Sequence, residues 1–130
     1  MNGPFTFVAT YKLKEGQVES YKEWAKGLCA YVESNEPRLI AFNLYLDDEG
    51  SSVAAVQVHP DAESMASHMQ VVRDYITQAY GDFLESPDLM LVCGGSGAVL
   101  ETIRQMTPSE VTISTMPRHI GGFTRSSASA

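Results

Sequence analysis

Acid–base chemistry at neutral pH in this 130-residue chain falls first to its three histidines, His59, His68 and His119. Imidazole titrates near neutrality, so a correctly placed ring can take a proton from a weak acid such as a phenol. His68 stands one position before Met69, on the flank of an apolar helical stripe, where it can face an internal cavity. The position suits a catalytic acid/base. It equally suits a half-buried helix histidine whose hydrogen bonds are satisfied. His59 precedes Pro60 at the end of a strand pattern, a place that suits a helix entrance. His119 lies beside Arg118, with Arg125 beyond. Those three can close over an anion or form a solvated tail.

Other motifs carry less chemistry. Gly94-Gly95-Ser96-Gly97 leads into a helical pattern, and amides at a helix start can hold an anion. It lacks the Lys-Ser/Thr of a phosphate loop, and Leu100 stands where a dinucleotide fingerprint needs glycine, so a turn is expected. Cys29 and Cys93 have no second ligand at metal-binding spacing, which points to two free thiols and no metal. The net charge is −7, and the basic residues are scattered, which argues against nucleic acid and anionic membrane as partners. No apolar run approaches the roughly 18–20 residues that span a bilayer. With no secretory leader pattern, a cytoplasmic protein is expected.

The elements that must position these residues follow from periodicity. Residues 5–13 alternate as a first strand, and Lys14-Glu15-Gly16 breaks it. Val18, Tyr21, Trp24, Ala25, Leu28, Tyr31 and Val32 recur at helical spacing up to Glu36-Pro37. Residues 39–46 and 53–58 form a hairpin about Asp47-Asp48-Glu49-Gly50. Pro60 and Asp61 open a second helix running to Tyr80-Gly81, and residues 89–93 form a fourth strand. The expected architecture is α+β: a ferredoxin-like βαββαβ core over 1–93, a four-stranded antiparallel sheet with both helices on one face. Residues 94–130 add a helix and a strand to the same domain, and 126–130 read as a disordered tail.

Alternation also sorts the strand residues by face. Thr6, Val8 and Thr10 share one face of the first strand, Asn43 and Tyr45 one of the second, and Gln57 and His59 one of the third. The opposite faces, including Phe5, Phe7, Phe42, Leu44, Val56 and Val58, are more uniformly apolar and are expected under the helices. The mixed face is then left bare. It can line a ligand pocket or fill an interface between two copies.

The run Phe7-Val8-Ala9-Thr10-Tyr11-Lys12-Leu13-Lys14-Glu15-Gly16 precedes a helix carrying Tyr21 and Trp24. The hairpin follows, then Val58-His59-Pro60-Asp61-Ala62-Glu63-Ser64 and His68-Met69. Over residues 5–93 this order resembles the antibiotic biosynthesis monooxygenase-like members of the dimeric α/β-barrel superfamily. The resemblance implies a homodimer whose bare sheet faces pack into a barrel. It also implies oxidation of a small aromatic, quinol or polyketide-like compound without a cofactor. The resemblance does not reach the haem-degrading members, because the first strand carries no Asn and the one tryptophan, Trp24, is on the first helix.

Two functions are therefore expected side by side. In one, His68 is the catalytic acid/base, and Thr6, Thr10, Asn43, Tyr45 and Gln57 bind the substrate. In the other, the chain is a non-catalytic ligand-binding or structural homodimer whose interior is filled by side chains.

Overall fold

The computed structural model describes residues 3–95 and 97–125. The elements are β1 (Phe5–Leu13), α1 (Val18–Asn35), β2 (Ala41–Leu46), β3 (Ser52–His59), α2 (Ala62–Val71), α3 (Arg73–Asp82), β4 (Leu84–Cys93), α4 (Gly97–Gln105) and β5 (Ile113–Met116). The sheet order is β2-β3-β1-β4-β5. The first four strands pair antiparallel, as expected, and β5 joins β4 in parallel. The C-terminal extension thus lengthens the sheet to five strands. The expected tail at 126–130 lies outside the described residues.

Each helix is placed by a stripe of apolar residues. α1 buries Tyr21, Leu28 and Val32, seven and then four residues apart on one face. It ends at Glu36, whose N–H still reaches the Val32 carbonyl at 2.9 Å. Pro37 then forces the chain out of the helical region. α2 is capped by Asp61, whose carboxylate accepts from the Ser64 N–H at 3.0 Å. Arg38 pairs with the same carboxylate and ties the α1–β2 connection to the start of α2.

Two expectations about the elements change. The single second helix is two, α2 and α3, separated at Val72 (φ −100°, ψ 9°). Met65, Met69, Val72, Ile76 and Ala79 keep helical spacing straight through the break, so periodicity could not reveal it. β4 begins at Leu84 rather than residue 89. Its pairing with β1 shifts register around Tyr11, opposite Pro87. That irregularity accommodates a proline inside a strand.

The core lies between the sheet and the helices. Phe5, Phe7, Ala9, Met65, Met69, Met90, Val92, Val99 and Ile103 form its largest cluster. Gly94 and Gly95 let the end of β4 pass close to the start of β1. A Cβ on Gly94 would stand 2.6 Å from the Pro4 carbonyl oxygen, and one on Gly95 would stand 2.7 Å from the Phe5 ring. Both have positive φ, at 82° and 94°, so glycine is required there rather than merely tolerated.

Candidate active site

The register of β3 overturns one expectation. Phe7 lies opposite Gln57 and Phe5 opposite His59, so both polar residues share the helix-covered face with the phenylalanines. Val56 and Val58, expected under the helices, are on the open face instead, opposite Val8 and Thr6. The inversion is stable because the buried polar groups satisfy one another. His59 Nδ1 lies 2.7 Å from Ser64 Oγ and His59 Nε2 lies 2.9 Å from Gln57 Oε1. Among the described residues no side-chain polar atom closed off from both solvent and cavity space is left without a partner.

Behind these residues, between the sheet and helices α1–α3, is a cavity of about 100 Å³. Phe7, Tyr11, Tyr21, Trp24, Phe42, Tyr80 and four methionines (65, 69, 90 and 106) contribute to its largely apolar wall. Gln57 and His68 are among its few polar wall residues. A cavity of about 150 Å³ admits benzene, so this one takes a single ring only as its flexible methionine side chains shift aside.

His68 is buried on α2, and its Nδ1 faces Glu36 at 2.8 and 3.0 Å from the two carboxylate oxygens. The carboxylate can only accept, so Nδ1 carries a proton, and in the neutral ring Nε2 presents a lone pair. Among the described residues nothing hydrogen-bonds Nε2. Its ring also lies 5.4 Å from Phe42 and 5.7 Å from His59, centroid to centroid. A carboxylate that fixes an imidazole tautomer and stabilises the imidazolium is the supporting arrangement of a general base.

The neighbouring titratable groups are held neutral. Burial, reinforced by His68, pushes the His59 imidazole down to about 3. Burial and the adjacent Tyr80 raise Tyr11 well above the ordinary phenol range. Burial likewise raises Tyr80, and it pushes Tyr21 up to about 12. At neutral pH these tyrosines are hydroxyls and not phenolates.

Of the residues singled out from sequence, His68 and Gln57 meet at the cavity. Thr6, Thr10, Asn43 and Tyr45 do not. They sit on the other face of the sheet, and Asn43 borders a separate surface groove beside Glu36. His59 bonds to the first turn of α2, which matches its expected place at the helix entrance. His119, Arg118 and Arg125 are exposed, and Arg125 stacks over Phe123. Glu36, Ser64, Tyr11 and Tyr80 were not singled out. For Glu36 a signal existed: Leu28, Val32 and Glu36 are spaced by four, which puts an acid on a buried stripe. Among the described residues no three His, Cys, Asp or Glu side chains gather as a metal site, and no helix is long and apolar enough to cross a membrane.

The sequence matches no protein-family model and no curated protein. Solved structures do match. MupZ from Pseudomonas fluorescens aligns with a TM-score of 0.72 at 16% identity, over 95% of this chain and 96% of that one. That likeness takes in the C-terminal extension as well. A Caulobacter crescentus protein assigned as an antibiotic biosynthesis monooxygenase aligns at 0.61 and 16% identity, over 68% of this chain and 86% of its own. Another protein of that designation aligns at 0.59 and 12% identity, over 68% and 94%. The chain shares the ferredoxin-like α+β fold of these structures.

Proposed function

We propose that the cavity binds a small phenolic or quinol-type ring and that the Glu36–His68 pair makes it reactive toward dioxygen. The observation that carries this reading is the His68 ring, fixed through Nδ1 by Glu36 and lining an aromatic cavity. His68 Nε2 takes the proton of a ring hydroxyl, and Glu36 stabilises the imidazolium that results. The phenolate is electron-rich enough to reduce dioxygen directly. One oxygen atom enters the ring at a C–H carbon, and the other leaves as water with two hydrogens. The four electrons taken up by dioxygen come from the ring, so a diol becomes a hydroxyquinone. The apolar wall excludes bulk water from the anion. A polyketide-like substrate larger than one ring places only its reacting ring here.

Oxygen uptake with a panel of monocyclic phenols and diols tests the proposal. Turnover is expected from the unmodified protein and a loss of at least 100-fold from His68→Ala. Ala55→Leu, which projects into the cavity from β3, is expected to abolish uptake without unfolding the chain. No uptake with any ring, or an unchanged rate in His68→Ala, overturns the reading. In that case the non-catalytic binding function stands.

We also infer that two copies pair through the open sheet face. Val8, Val56, Val58, Leu89 and Leu91 lie on it, part-buried or exposed. Thr6, Thr10, Asn43 and Tyr45 share that face, and their part is to hydrogen-bond across the pairing.

A further inference from the structure

We infer that the cavity selects rings whose two oxygens sit on adjacent carbons, as in a catechol, over rings whose oxygens are opposite or single. The inference rests on the reading that the cavity takes a phenolic ring. It comes from the Ser64–His59–Gln57 chain, which the proton-abstraction step does not use.

His59 is fully buried and both its nitrogens are engaged. A neutral imidazole has one N–H. Gln57 Oε1 can only accept, so that N–H is on Nε2, and Nδ1 accepts from the Ser64 hydroxyl. The Gln57 amide thus stands with its oxygen toward His59. Its NH₂ is left as a donor, with no partner among the described residues. His68 Nε2 is the acceptor counterpart. The two groups are neighbours: Phe42 lies directly across the β2–β3 ladder from Gln57, and the same Phe42 ring lies 5.4 Å from His68. Gln57 and His68 thus both lie against Phe42, and both line the cavity.

Tyr11 and Tyr80 face one another with ring centroids 6.0 Å apart, and the Trp24 N–H is taken by Gln78. A ring with adjacent oxygens can give a proton to His68 and accept from Gln57 at once. A ring with opposite oxygens engages one group and leaves the other unpaired in an apolar cavity.

The test is anaerobic titration of the full chain with catechol, hydroquinone and phenol, read by the fluorescence of Trp24, which lines the cavity. Without oxygen there is no turnover, so binding is measured independently of the reaction. Catechol is expected to bind at least ten-fold more tightly than hydroquinone or phenol. Gln57→Met, close to isosteric, is expected to bring the three within about two-fold while phenol still binds. Ser64→Ala, which releases the far end of the chain and perturbs the core least, is expected to narrow the preference in part. Equal binding of all three rings by the unmodified protein overturns the inference and leaves the proposed function intact. A preference that survives Gln57→Met overturns it too. Failure of every ring to bind overturns both.

Discussion

Removing His68 and removing Glu36 should have very different costs, although the two side chains touch. Their side chains are 4% and 5% exposed, and the contact is 2.8 Å. His68→Leu leaves a buried carboxylate with no hydrogen-bond partner, which costs about 3 kcal/mol because the orphaned group is charged. Glu36→Gln still offers an oxygen to the Nδ1–H and strands no charge, so its cost should be about 1 kcal/mol. Combining His68→Leu with Glu36→Leu should be less damaging than the sum of those same two changes made singly, by about 2–3 kcal/mol, because the stranded charge is gone. Urea unfolding at pH 7, followed by Trp24 fluorescence and far-ultraviolet dichroism, measures all four corners of the cycle. Additivity within about 0.5 kcal/mol refutes the reasoning. The two side chains would then be apart in solution, and the base would lack its support.

Two further outcomes follow from other parts of the molecule. The His59 imidazole is held neutral down to about pH 3 in the fold but titrates near 6.5 when exposed. The unfolded chain binds more protons between those values. Stability from this group is therefore full above about pH 6.5 and falls as pH drops toward 3, by up to ~1.4 kcal/mol per pH unit. Urea midpoints across that range should show a flatter acid limb in His59→Gln, and an unchanged limb contradicts the assignment. For the open sheet face, light scattering at micromolar concentration should give twice the chain mass. Val56→Lys should shift it toward the monomer, and a monomeric unmodified chain removes the pairing.

Much of the framework was legible because β1 and the helices separate their residues cleanly. In β1, Phe5, Phe7 and Ala9 are buried, and Thr6, Val8 and Thr10 less so, as alternation alone indicates. β3 was not legible in the same way. Alternation says that Gln57 and His59 share a face and that Val56 and Val58 share the other. It does not say which face meets the core, and hydrophobicity points the wrong way. What decides is the bond from His59 to Ser64, between a strand and the helix that follows it, with Gln57 closing the other end. Such a network appears only when both elements are placed. Of the six residues proposed for the site, His68 and Gln57 meet at the cavity. Gln57 was grouped with the open-face residues by the same error of face.

The inversion of β3 ties the cavity to the open face. A one-residue slip would bring Val56 and Val58 under the helices and turn Gln57 and His59 outward. The interior would then be wholly apolar, and the sheet face more polar and better suited to water. By hydrophobic burial alone that arrangement is the better monomer. In the native register the same four residues create both a polar wall inside and valines outside. The inner wall faces the one cavity that His68 and Gln57 share, and the outer valines need cover. A sequence selected only for a stable single chain has no reason to keep this register. One that must hold a neutral histidine behind a ligand-facing amide, and pair with a second copy, has both reasons together.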